Sequence, residues 1–130
     1  MSPDEADVRA AVQNYCERYH IPPFTISDPH VIATLLSDVQ PWPQGDSPGC
    51  YVFYCGKMGL LYIGKASNAS AMAHRLSTYF RVRGLERPEP RHSWPQPPHY
   101  VQTIKVHEAF EAPSLEEFLI RELRPVGNAI

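Results

Sequence analysis

Six side chains in this sequence have types and spacing suited to chemistry on a charged oxyanion. Tyr51 and Tyr62 flank the turn-forming run Gly56-Lys57-Met58-Gly59. With these four residues as the turn, Phe53 faces Tyr62, Tyr51 faces Gly64 and Cys55 faces Leu60. Strand side chains alternate by two, which makes Tyr51 and Tyr62 diagonal neighbours on one face, about 7 Å apart. Gly64 opposite Tyr51 leaves space beside that phenol, where two hydroxyls can orient a water or a phosphate oxygen. Lys65 follows directly at the strand end. Arg75 and Tyr79 are four apart, one helical turn, and share a helix face. A guanidinium fork matches a phosphate bidentately. Glu116 is a lone carboxylate near the start of a helix, a donor suited to Mg²⁺, which keeps most of its waters and accepts one or two protein ligands. Each residue also has a plain structural reading: core tyrosines, exposed cations, an acid favoured by a helix N-terminus. Asn128, after Pro125, reads by default as a turn residue.

The elements that must position these side chains follow from periodicity. Ser2-Pro3-Asp4-Glu5 predicts a helix start, with Val8, Val12, Tyr15, Cys16 and Tyr19 at helical spacing and Ile21-Pro22-Pro23 as the stop. Asp28-Pro29 predicts a second helix with an apolar stripe of Val31, Ile32, Leu35, Leu36 and Val39. A Pro- and Gly-rich loop to Pro48 follows. Residues 51–55 and 60–64 form the hairpin, 69–80 a helix, and 84–98, with five prolines, a loop. Residues 100–107 alternate as a third strand. Ser114-Leu115-Glu116-Glu117 predicts a capping box for the last helix, which stops before Pro125. The fold class is α+β: a small three-stranded antiparallel sheet flanked by helices. It comprises an N-terminal helical extension, 1–47, packed on the same domain as a core of 48–130.

Length and charge narrow the function. The 130 residues make one domain with one core. The acidic N-terminus lacks signal-peptide order, and no apolar run is long enough to span a membrane, so the expectation is a cytoplasmic protein with no membrane partner. The net charge of −2 is uninformative, but its distribution is not. Residues 1–48 carry Arg9 and Arg18 against seven acids, whereas 57–91 carry Lys57, Lys65, Arg75, Arg81, Arg83, Arg87 and Arg91 against Glu86 and Glu89. A basic middle is the footprint of polyanion binding, or of a solvated basic surface. Cys16, His20, Cys50 and Cys55 do not suit a zinc site, because Cys50 and Cys55 face opposite sides of a strand.

Taken together, Gly49-Cys50-Tyr51, Leu61-Tyr62-Ile63-Gly64-Lys65-Ala66, Arg75-Leu76-Ser77-Thr78-Tyr79-Phe80, and Glu116-Glu117-Phe118-Leu119-Ile120 with Arg124-Pro125 and Asn128 resemble the ordered motifs of the GIY-YIG nuclease superfamily. Within it, the nuclease domain at the N-terminus of the excision-repair UvrC subunit is nearest in motif. The resemblance covers 48–130. It implies a metal-dependent endonuclease acting on nucleic acid, DNA favoured over RNA, with Mg²⁺ or Mn²⁺ as cofactor. Tyr51, Tyr62, Lys65, Arg75, Tyr79 and Glu116 become the expected catalytic residues and Glu116 the metal ligand. Gly64, Arg81, Arg83, Arg87 and Asn128 are expected at the substrate. The alternative is a binding module that keeps the fold without catalysis. Cys50 departs from the aliphatic residue usual in the first motif, and the segment between Lys65 and Arg75 is a few residues longer than in UvrC-like domains. Residues 1–47 have no counterpart in the resemblance. The N-terminal helices and the Pro-rich loop 84–98 are the places open to a protein partner.

Overall fold

The computed structural model describes residues 2–67, 71–81, 89–90 and 94–128, with 81, 89 and 90 described by their backbone. In chain order the elements are α1 (Glu5–Arg18), β1 (Thr25–Ile26), β2 (His30–Val31), α2 (Ile32–Ser37), β3 (Gly49–Tyr54), β4 (Leu60–Ala66), α3 (Met72–Tyr79), β5 (Phe80–Arg81), β6 (Glu89–Pro90), β7 (Tyr100–Lys105) and α4 (Glu111–Leu123). β3 lies between β4 and β7, and both short strands β1 and β2 pair with β7; all these pairings are antiparallel. Every residue of β3 is buried because helices cover both faces of the sheet. On one face Cys50, Val52, Tyr54, Ile63 and Ile104 pack with Val8, Val12 and Tyr15 of α1 and Leu115 and Leu119 of α4. On the other, Tyr51, Phe53, Leu61 and Val101 pack with Ile32 and Leu35 of α2 and Met72, Leu76 and Tyr79 of α3. No helix among the described residues is long and apolar enough to cross a membrane.

The α+β architecture is as expected, but several boundaries differ. The principal sheet has five strands, not three. β1 and β2 are two residues each, too short for alternation to reveal, and Asp28-Pro29 opens β2 rather than a helix. α2 ends at Ser37, so Val39 falls outside the apolar stripe, with positive φ and 88% exposure. α1 is capped by Asp4, not Ser2: Asp7 N–H donates to Asp4 Oδ1 at 3.1 Å and Asp4 N–H to Asp7 Oδ2 at 2.9 Å. Pro3 stays outside the helix because its carbonyl accepts from Leu60 N–H at 2.8 Å, pinning the chain end to β4. The hairpin register matches at Tyr51–Gly64 and Phe53–Tyr62, then shifts so that Tyr54, rather than Cys55, pairs with Leu60. α3 starts at Met72 rather than 69, and Phe80 leaves it for β5. α4 begins at Glu111, whose carboxylate accepts from Glu108 N–H at 2.7 Å. Ser114 is therefore inside the helix, where its hydroxyl meets that of Tyr15 at 2.7 Å. Glu117 is not a capping acid but half of an exposed i,i+4 pair with Arg121 at 3.7 Å, a geometry that contributes little to stability.

Candidate active site

The site gathers at the β4 end of the sheet, around Tyr51, whose own ring fills the space over Gly64 that the sequence suggested would be open. Tyr51 and Gly64 are direct cross-strand partners. A Cβ at position 64 would lie 2.4 Å from the Tyr51 ring, so only glycine leaves that ring its place. α3 packs over this face and brings Tyr79 inward. The Tyr51 and Tyr79 hydroxyls are 2.8 Å apart, and those of Tyr62 and Tyr79 are 3.3 Å apart. Tyr79 thus joins the two strand phenols into one hydroxyl chain. Arg75, one helical turn earlier, stands beside the Tyr51 and Tyr79 hydroxyls. α4 packs on β3 and β4, and carries Glu116 in its second turn, not at its start. There the carboxylate lies in the field of both Lys65 and Arg75.

Burial governs the acids and bases of the site. It raises Tyr51, against the opposing pull of the Tyr79 hydrogen bond and the Arg75 charge. It raises Tyr62 well above an ordinary phenol, helped by the hydrogen bond with Tyr79. Burial and the hydrogen bond with Tyr51 push Tyr79 up to about 12. All three are neutral hydroxyls at neutral pH. The cation whose field reaches Tyr51 is Arg75, not Lys65. Lys65 acts instead on Glu116 and on the buried thiol of Cys50. Glu116 is itself raised by burial, although Lys65 and Arg75 pull it down. A partly buried carboxylate that two nearby cations leave undercompensated suits a bound divalent ion, which would relieve its desolvation. Mg²⁺ or Mn²⁺ held by one carboxylate and waters fits this donor set. Among the described residues no group of three or more His, Cys, Asp or Glu is placed to hold a metal.

The sequence-derived residues do not all come together. Tyr51, Tyr62, Gly64, Lys65, Arg75, Tyr79 and Glu116 do. Asn128 instead secures a strand edge. Its Oδ1 accepts from Ile63 N–H at 3.0 Å and its Nδ2 donates to Ile63 C=O at 2.9 Å. With Gly127 N–H donating to Leu61 C=O at 2.7 Å, it covers the outer edge of β4 in the way another strand would. Arg83, Arg87 and most of the loop 84–98 lie outside the described residues, as does the side chain of Arg81. Periodicity also passed over Trp94. Its ring stacks on Tyr79 at 5.9 Å between centroids and lies 5.5 Å from Tyr62 and 5.6 Å from Phe53. A lone tryptophan in a Pro-rich segment was the available signal, because such a large ring needs apolar cover.

The family model of the UvrC-like GIY-YIG domain matches residues 47–129, a span that includes every residue of the site. The UvrABC system protein C of Helicobacter pylori strain J99 is 34% identical over 105 residues, 76% of this chain and 17% of that protein. That of Pseudomonas putida is 39% identical over 83 residues, 64% of this chain and 13% of that protein. That of Wolinella succinogenes is 29% identical over 102 residues, 75% and 16% respectively. The chain thus spans between 13% and 17% of the length of these curated relatives. With the match covering well over half of its residues, the chain belongs to the UvrC-like GIY-YIG family.

Proposed function

We propose that this chain is an endonuclease that hydrolyses phosphodiester bonds of nucleic acid, DNA in preference to RNA, using one Mg²⁺ or Mn²⁺ ion. The observation that carries the reading is the convergence of the Tyr51–Tyr79–Tyr62 hydroxyl chain, Arg75, Lys65 and the raised carboxylate of Glu116 at the place where the Tyr51 ring lies against Gly64. The match to the UvrC-like GIY-YIG domain, with the resemblance to an excision-repair nuclease domain, supports DNA as the substrate.

Glu116 would hold the ion, which when bound supplies Lewis acidity to the phosphate and the leaving oxygen. Arg75 would neutralise charge on the phosphate as it develops in the transition state. Tyr51 would orient the attacking water. With its pKa raised, it is a hydrogen-bonding hydroxyl in the resting site rather than a phenolate, and Arg75 is the protein cation that opposes the shift. Tyr79 fixes the Tyr51 and Tyr62 hydroxyls and so sets the direction of that bond. Tyr62 would bind a phosphate oxygen, and Lys65 would add positive charge beside Glu116. Arg81, Arg83 and Arg87 would bind the flanking backbone.

The test is incubation with labelled single- and double-stranded DNA and RNA, with Mg²⁺, with Mn²⁺ and with EDTA. Divalent-dependent cleavage of DNA is expected. Binding without cleavage under every condition would leave a nucleic-acid-binding module in place of an enzyme.

A further inference from the structure

α3 carries both Arg75 and Tyr79, and its N-cap residue, Ala71, makes no side-chain hydrogen bond. The first N–H groups of a helix need acceptors. Here they come from the segment before β3. Met72 N–H donates to Ser47 C=O at 2.9 Å and Ala73 N–H to Gly45 C=O at 2.8 Å. The turn that presents these carbonyls is closed by Gly45 N–H to Trp42 C=O at 3.0 Å and Ser47 N–H to Gln44 C=O at 3.1 Å. It is tied to the sheet by Gln44, whose Nε2 lies 3.2 Å from the Thr25 and Thr103 carbonyls and 3.1 Å from Thr103 Oγ1. The Trp42 ring packs on Phe80, at the other end of α3, with centroids 5.9 Å apart. Contact is close at Gly45, where a Cβ would meet Ala73 Cβ at 2.9 Å and Trp42 O at 3.0 Å.

We infer that the turn at residues 42–47 is the dock that sets the position of α3, and that Gly45, outside the family match that begins at residue 47, is a positioning residue for Arg75 and Tyr79. The inference rests on the proposed nuclease reading for its catalytic consequence but not for the docking itself. A sheet-anchored turn holds the helix N-terminus, and helix rigidity carries that placement about one turn to Arg75 and about two to Tyr79. A side chain at 45 pushes Ala73 away and tilts both groups from Tyr51 and Tyr62.

The test is Gly45→Ala, read in two ways. Amide hydrogen exchange needs no activity: Met72 and Ala73 should exchange at least about 10-fold faster than in the parent, with α4 amides unchanged. Unchanged protection at Met72 and Ala73 would overturn the docking. In cleavage assays kcat should fall by about 10- to 100-fold, the scale of a displacement near 1 Å. In an Arg75→Ala background the same substitution should cost clearly less than in the parent, because one of the two groups it displaces is gone and only Tyr79 is left to move. Equal losses in both backgrounds would show a general loss of structure and sink the positioning role. Ala73→Gly added to Gly45→Ala removes the Cβ–Cβ clash and should recover part of the protection and rate. A parent protein that cuts nothing would refute the nuclease reading, and the exchange arm would still decide the dock.

Discussion

At the scale of single residues, the site combines hydroxyls that stay neutral with one carboxylate that burial makes uncomfortable. Glu116 has a folded-state pKa above its ordinary 4.5, because burial outweighs Lys65 and Arg75. The folded protein therefore holds this proton more tightly than the unfolded chain. Without metal, Glu116 favours folding below its unfolded pKa, and that contribution is lost as pH rises through the raised value. Glu116→Gln should thus abolish cleavage, keep nucleic-acid binding, and melt no lower than the parent at neutral pH. Mg²⁺ should raise the melting temperature of the parent and not of the variant. If Glu116 holds the ion, proton and metal compete for the same carboxylate, so the acid limb of the rate should move down in pH as Mg²⁺ increases. Full activity in Glu116→Gln, or in EDTA, would end the one-metal reading. Arg75 does two things, bonding the Tyr51 and Tyr79 hydroxyls and opposing the burial shift of Tyr51. Arg75→Ala should lower kcat by at least about 100-fold. Arg75→Lys should recover little, since a point charge does not replace a planar fork; a near-normal rate for the lysine variant would mean that only charge is needed.

At the scale of elements, β4 shows how a residue can matter to a site without meeting the substrate. Ile63 turns its N–H and C=O away from β3, and the amide of Asn128 satisfies both. Asn128→Ala leaves that donor and acceptor without their partner, beside Tyr62 and Gly64. The expected cost is about 1–3 kcal/mol in urea unfolding, with exchange at Ile63 accelerated more than exchange in β3. A variant as stable as the parent would show that water replaces the amide freely. The sequence carried the long elements and the two cross-strand pairs that build the site, because alternation and the Gly56–Gly59 turn specify register. It did not carry the Leu60 shift, β1 or β2, since two-residue strands take their existence from β7 rather than from a pattern of their own. It also misplaced both caps. Ser2 and Ser114 have suitable neighbours, but Pro3 is held by β4 and Ser114 by Tyr15, contacts that no local pattern encodes. Asn128 was legible as part of a motif, whereas its structural role required knowing that β4 is an edge strand.

At the scale of the whole molecule, the N-terminal segment belongs to the core. Val8, Val12, Tyr15, Cys16, Phe24, Ile32 and Leu35 are buried, and the loss of even a few such side chains, at about 1.5–3 kcal/mol each, matches the total stability of a domain. Deleting residues 1–40 should therefore unfold the protein instead of uncovering a working nuclease; a deletion that melts cooperatively and cleaves would contradict this. A nucleic-acid surface for the proposed nuclease must be sought elsewhere, by substitutions that leave the core alone. Arg81 follows Tyr79 by two residues, and Arg83 and Arg87 continue the basic run, while the acids of residues 1–48 repel a phosphate backbone. If each of the three arginines touches one phosphate, replacing all three with alanine should lower the slope of log K against log salt. The reduction would be up to about 2.7 on duplex and about 2.1 on single strands. Affinity should fall broadly across sequences, while kcat at saturating substrate changes little because Arg75, Tyr79 and Glu116 are untouched. Titrations of parent and triple variant at several salt concentrations decide the point. An unchanged slope would mean that these arginines do not face the nucleic acid, and a collapsed kcat with unchanged affinity would move them from the binding track into the site itself.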